Sequence, residues 1–284
     1  MIPVLQGLDL AAPATLSDAL RLLASDGTAR PFAGGTDLMV LLDAGRLPAG
    51  RYVSLWGLQE LRGISDERGA LKLGALTTFG EIRDSETISR SYPMLAAAAL
   101  QIGGIATQNR ATIGGNIANA SPAADSPPAL IAYDAVIELA SETGRRRLPY
   151  REFHLGYKQM RLDPGEIIAN VILPPREAGW RDGYRKVGTR RAQAISKVCL
   201  AASVRADGDT IVDVRLALGS VAPTVVRCRA AEDALRGSPL DDATIARAAQ
   251  ALDADIAPID DLRSTADYRR AVARNLLVSF LLPD

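Results

Sequence analysis

The chain has 284 residues, 48% hydrophobic and 23% charged, enough apolar side chains for one large core or two to three smaller ones and too many for a disordered or fibrous protein. Lysine plus arginine equals aspartate plus glutamate at 33 each, so the zero net charge excludes a global electrostatic pull toward nucleic acid or an anionic membrane. Cys199 and Cys228 are the only cysteines, and they make neither a zinc site nor an iron–sulfur cluster, each of which needs about four closely spaced ligands.

The opening Met1-Ile2-Pro3-Val4-Leu5 has no basic stretch ahead of an apolar run, and no later run reaches the ~18 uninterrupted apolar residues of a membrane span, so a reducing cytoplasm is the expected location. Thr15 is placed to cap a helix whose Leu16, Ala19, Leu20, Leu22 and Leu23 recur at helical spacing, with Gly27 as its stop. A short strand over 30–33 leads into Ala33-Gly34-Gly35-Thr36-Asp37-Leu38. The run 38–42 is apolar again, and 52–55 reads as a buried strand, which completes a compact α/β unit over 1–60.

Residues 71–75 alternate as a strand, and 93–100 opens with proline in its first turn and reads as a helix. A second glycine turn follows, Thr112-Ile113-Gly114-Gly115-Asn116-Ile117-Ala118-Asn119-Ala120-Ser121-Pro122. Strands are expected over 135–139 and 167–173. Between them Arg145-Arg146-Arg147, with no aromatic residue interleaved, reads as a solvated turn after Thr143-Gly144 rather than a nucleic-acid patch. The second unit, 61–176, closes at Pro174-Pro175, which with Gly179 and Gly183 makes a linker. The last unit, 177–284, has strands over 196–204 and 211–218 around the turn Asp207-Gly208-Asp209, then helices over 230–235, 242–252 and 264–282.

Each glycine pair offers neighbouring residues without side chains, which lets backbone N–H groups converge on an anion. Either pair alone reads more readily as a tight connection, but two with such flanks suggest a diphosphate gripped from two sides. The other familiar constellations are missing. The single histidine, His154, lies in Tyr150-Arg151-Glu152-Phe153-His154-Leu155 and is expected to make a structural hydrogen bond; Ser121 lacks the G-x-S-x-G setting of a nucleophile. Neither the Walker pattern nor G-x-G-x-x-G occurs, which argues against a P-loop or a Rossmann site.

Together with Leu73-Gly74-Ala75, the block 112–125, Pro164-Gly165-Glu166-Ile167-Ile168 and Tyr184-Arg185-Lys186-Val187-Gly188-Thr189-Arg190-Arg191, the glycine pairs resemble the FAD-binding medium subunits of molybdenum hydroxylases, the carbon monoxide dehydrogenase and xanthine dehydrogenase family. These belong to the wider vanillyl-alcohol-oxidase (PCMH) type of flavoprotein, and the likeness covers nearly the whole chain. It implies an α+β fold: a two-part FAD-binding domain, with subdomains 1–60 and 61–176, followed by a C-terminal α+β domain, 177–284, with a small antiparallel sheet and helices.

The resemblance implies that Pro31, Phe32, Ala33, Gly34, Gly35, Thr36, Asp37 and Leu38 bind the FAD diphosphate through backbone amides, with the Thr36 hydroxyl as a further donor. Thr112, Ile113, Gly114, Gly115 and Asn116 would approach the same diphosphate. Asn119 and Asp125 match positions that bond ribityl or adenosine hydroxyls. Ile168 matches an apolar contact of the flavin, and Lys186 a lysine near the isoalloxazine, where an ammonium favours the anionic reduced ring. Ile102 stands where animal xanthine dehydrogenases carry a stacking aromatic residue, so apolar contact would persist without stacking. No histidine or cysteine lies in either glycine block, so non-covalent FAD is expected.

The chain then has no catalytic residue or metal of its own. By resemblance, substrate is hydroxylated at molybdopterin on a large partner subunit, and electrons pass through [2Fe–2S] clusters of a small partner to FAD here. They leave for NAD+, a quinone, another carrier or dioxygen, in an assembly expected to be a dimer of heterotrimers. Two alternatives remain at this level: a stand-alone flavin oxidase or reductase of the same superfamily, which would need acid–base residues not evident in the C-terminal unit, and a cofactor-free assembly module.

Overall fold

A computed structural model of the chain describes residues 7–282. It opens with a three-stranded parallel sheet in the order β1-β3-β2, built from β1 (Leu8–Ala11), β2 (Arg30–Phe32) and β3 (Gly50–Ser54). The connections are helices α1 (Leu16–Ser25) and α2 (Thr36–Asp43). Thr15 caps α1 as its position foretells, accepting from the Asp18 N–H at 3.1 Å, and Leu16, Ala19, Leu20 and Leu23 form the buried face. The expected glycine stop differs. The helix closes at Asp26, whose carboxylate accepts from the N–H and hydroxyl of Thr28, and Gly27 is not in the left-handed region. Helix α2 buries none of its residues, so Met39, Val40 and Leu41 of the apolar 38–42 run stay exposed.

The next stretch begins with the hairpin β4 (Ile64–Glu67) and β5 (Ala70–Gly74). Helices α3 (Phe79–Asp84), α4 (Glu86–Ser91), α5 (Pro93–Gln101), α6 (Ile105–Gln108), α7 (Ile113–Ala118) and α8 (Ser126–Ala132) follow. Strands β6 (Val136–Ser141), β7 (Gly144–Pro149), the small hairpin β8 (His154–Gly156) and β9 (Gln159–Met160), and β10 (Ile167–Leu173) complete it. The main sheet is five-stranded, β4-β5-β10-β6-β7, and antiparallel throughout. Every residue of β10 is buried, as its apolar run, broken only by Asn170, dictates for a central strand covered on both faces, and the Asn170 amide donates to Glu138 at 2.8 Å.

The triple arginine is a correction to the sequence reading: it lies in edge strand β7, not in a turn. Side chains alternate faces along a strand, so Arg145 and Arg147 point the same way and both reach Glu138, at 2.6 and 2.7 Å. Arg146 points the other way and pairs with Glu166 at 2.7 Å. Burial raises the Glu138 carboxyl, but Arg147, Arg145 and Asn170 outweigh it and leave the group below its ordinary range.

The C-terminal sheet, β11-β12-β13-β14, comprises β11 (Trp180–Val187), β12 (Val198–Asp207), β13 (Thr210–Gly219) and β14 (Val226–Arg227), all antiparallel. Helices α9 (Arg229–Leu235), α10 (Asp242–Ala251) and α11 (Ala266–Leu281) pack on it around a core that includes Leu216, Leu218, Leu252 and Leu277. The expected linker is shorter than its glycines suggest. Gly183 belongs to β11, and a Cβ there would run into the Phe280 ring of α11. The fold is α+β, with a parallel sheet and a larger antiparallel sheet ahead of a C-terminal domain of one antiparallel sheet and helices.

Candidate functional site

A cavity of ≈ 470 Å³ opens where the first sheet meets the second, within the size range of small-molecule sites. Its walls are the loop from β2 into α2, the start and end of α7, and the first residues of β10. Pro31, Ala33, Gly34, Gly35, Thr36, Asp37, Leu38, Ile102, Thr112, Gly114, Gly115, Asn116, Asn119 and Ile168 all line it. Residues eighty or more apart in sequence are thus brought to one space.

The two glycine blocks do different jobs. Gly35 caps α2 in the left-handed conformation, φ +79°, with no side-chain cap. The first α-helical bond is from Met39 N–H to the Gly35 carbonyl, so the N–H groups of Thr36, Asp37 and Leu38 belong to the open first turn of the helix. Those are donors for an anion, and the helix dipole favours one there. In the second block the amides are spoken for. Ile113 N–H donates to Thr77 at 3.0 Å, Gly114 N–H to Ala75 at 2.9 Å, and Gly115 N–H to the Thr112 hydroxyl at 3.1 Å. This block is the first turn of α7, not a free turn, and Thr112, Gly114, Gly115 and Asn116 line the cavity. Asn116 Oδ1 accepts from Ser126 at 2.7 Å, which leaves its NH₂ group for a ligand.

The glycines themselves answer to the protein's own backbone. A Cβ on Gly34 would overlap the carbonyl of Arg110, and one on Gly114 would stand 2.8 Å from the Ala75 carbonyl oxygen. Close approach of chain to chain, before any ligand, requires glycine at both places.

Four expected site residues do not line the cavity. Phe32 lies beneath the first loop, its ring 2.8 Å from where a Gly35 Cβ would be, and Ile113 is fully buried in the core. Asp125 and Lys186 form a buried ion pair of 2.7 Å between the second unit and β11. Ser196 also donates to Asp125 at 2.7 Å, and Lys186 Nζ donates to the Gln101 carbonyl at 3.0 Å, one residue from the wall at Ile102. Burial pushes the Asp125 carboxyl up while Lys186 and Ser196 oppose it.

The wall also contains residues the sequence reading did not single out: Leu55, Ala75, Leu76, Thr107, Ala111, Ala118, Lys158, Leu162, Glu166 and Ile167. Glu166 and Ile167 precede the expected Ile168 in the same motif block, Ala75 and Ala118 lie in two others, and Leu55 ends an expected strand; Leu76, Thr107, Ala111, Lys158 and Leu162 carry no signal in the sequence. Asp37 and Lys158 both line the cavity. Burial raises the Asp37 carboxyl, and the charge of Lys158 opposes that rise. His154, on β8, makes the structural hydrogen bond expected of it, Nε2 to the Ile117 carbonyl at 2.9 Å, and burial lowers its pKa.

Residues 6–176 match the family model described as the FAD binding domain in molybdopterin dehydrogenase, and residues 183–283 match the CO dehydrogenase flavoprotein C-terminal domain. The chain belongs to this family of FAD-binding subunits. It is 36% identical over 260 residues to the putative xanthine dehydrogenase FAD-binding subunit of Escherichia coli K12, covering 90% of this chain and 88% of that one. It is 31% identical to the carbon monoxide dehydrogenase medium chain of Hydrogenophaga pseudoflava, covering 94% and 93%. The solved carbon monoxide dehydrogenase of that organism superimposes with a TM-score of 0.93 at 32% identity, covering 98% of this chain and 96% of that one. Quinoline 2-oxidoreductase of Pseudomonas putida 86 gives 0.89 at 28% identity, covering 96% and 95%. As an FAD-binding medium subunit of a molybdenum hydroxylase, the chain is part of an oxidoreductase. No helix among the described residues is long and apolar enough to cross a membrane.

Proposed function

We propose that the chain holds FAD non-covalently in this cavity and is the electron exit of a larger molybdenum hydroxylase. The observation that carries the reading is the open first turn of α2: Thr36, Asp37 and Leu38, whose N–H groups precede the first helical bond, line the same cavity as apolar Ile102, Leu55 and Ile168. That pairing of anion donors with an apolar slot suits a diphosphate joined to a flat ring. In this reading 31–38 is the diphosphate side, Thr112–Asn116 supports it, Asn119 bonds hydroxyl groups, and Ile102 and Ile168 cover the ring. Phe32 and Ile113 act from behind, by holding the two loops in place. Asp125 and Lys186 stand behind the wall at Ile102 and bias the charge there. FAD, when bound, exchanges electrons singly or in pairs, which suits a junction between one-electron clusters and a two-electron acceptor.

The partners we infer are a large molybdopterin subunit and a small [2Fe–2S] subunit, in a cytoplasmic dimer of heterotrimers. NAD+, a quinone or dioxygen is the final acceptor. The subdivision into 1–60, 61–176 and 177–284 is part of the same proposal. Co-purification tests it. The chain co-expressed with its neighbouring subunits should emerge as a complex that oxidises substrate, while the chain alone should not. Substrate hydroxylation by the isolated chain would contradict the proposal.

A further inference from the structure

The charged residues lining the cavity are Asp37, Lys158 and Glu166. Glu166 is held by Arg146 through two contacts of 2.7 Å, which leaves Asp37 and Lys158 as the unlike charges of the wall without a tight partner of opposite sign among the described residues. Lys158 occupies the two-residue turn Tyr157-Lys158 between β8 and β9, with φ +58°. That is the left-handed region, where glycine or asparagine sits readily and lysine rarely does. The lysine is exposed, so no packing explains its presence there. Its ammonium donates to the backbone carbonyl of Asn119 at the end of α7 and to Asn119 Oδ1 at 2.6 Å. This contact turns the amide oxygen toward the lysine and leaves the NH₂ group as a donor.

We propose that Lys158 is the cation the cavity sets against the FAD diphosphate, carried there by a strained turn and steadied by Asn119. The inference rests on the FAD reading above. A diphosphate brings roughly two negative charges, and one helix N-terminus offers only about half a positive charge. Asp37 sits at that same terminus and adds a negative charge of its own. The amides that open α7 are already bonded within the protein, so they do not make up the difference. A full positive charge is needed, and Lys158 is the only lysine or arginine in the wall among the described residues.

The test is an FAD titration of the full chain, stripped of flavin, followed by fluorescence at ionic strengths from about 0.02 to 0.5 M. Lys158→Asn keeps a residue that suits the turn and removes the charge; Lys158→Arg keeps the charge. The expected result for Lys158→Asn is a Kd for FAD about tenfold higher at low salt, the size of a lost charged hydrogen bond. That difference should shrink as salt rises, while the thermal midpoint holds or increases. Lys158→Arg should keep most of the affinity. Unchanged affinity in Lys158→Asn overturns the proposal, and so does a loss of equal size at every ionic strength or one shared by Lys158→Arg, since either marks a purely structural turn residue. If the unmodified chain takes up no FAD, the underlying reading and this proposal fall together, and that control separates the two failures.

Discussion

Gly34 has a requirement for glycine that its sequence setting does not reveal. Its sequence setting announces a glycine loop, and the natural argument is that a ligand's phosphates need the space. The structure assigns the space to the carbonyl of Arg110, on a segment that nothing in the local sequence links to it. The expected cost of Gly34→Ala is therefore one of folding: about 1–3 kcal/mol from forced displacement of packed backbone, with loss of the cavity's shape. Gly27→Ala is the control, because a Cβ there meets nothing within 4 Å and the backbone is not left-handed. Urea unfolding of both variants checks this; equal midpoints would show that the close approach at Arg110 is relieved without cost. Lys158 is the opposite case. A single lysine in a short turn carries no motif, and only the tertiary placement of β8 and β9 over α7 brings it to the cavity.

At the scale of elements, caps and long apolar runs were legible and short helices were not. Thr15 and the run of β10 announce themselves because a cap and a doubly covered strand each leave a local pattern. Helix α7 has six residues, too few for a 3.6-residue period to show, so its first turn reads as a loop. Strand β7 was hidden by charge: three arginines look like solvent until Glu138 and Glu166 are seen opposite them. The β8 strand is pinned to α7 by His154, and that contact has a pH signature. Burial holds the imidazole below its ordinary 6.5, so the unfolded chain takes up a proton more readily than the folded one. Stability is complete above pH 6.5 and falls as the pH drops below it, until the folded imidazole also titrates. His154→Gln retains a donor for the Ile117 carbonyl and should flatten that part of the profile, measured as urea midpoints at about pH 7.5 and 5.5. A wild-type profile already flat over this interval would contradict it.

At the scale of the molecule, the cavity belongs to the meeting of units rather than to either one. The first sheet brings the donors of α2, the second brings α7 and β10, and the C-terminal sheet closes the back through the Lys186–Asp125 pair. Family and architecture were legible because several motif blocks occur in order along the chain. The direction of side chains was not: Asp125 and Lys186 face each other behind the wall, and no spacing in the sequence could say so. The central claim is that this chain, by itself, provides a complete FAD site. Its most direct measurement is the visible absorption spectrum of the purified full chain with FAD supplied in slight excess and then removed by gel filtration. The account predicts retained flavin bands at one FAD per chain, released by acid because no covalent bond holds it; a chain that elutes colourless would contradict it.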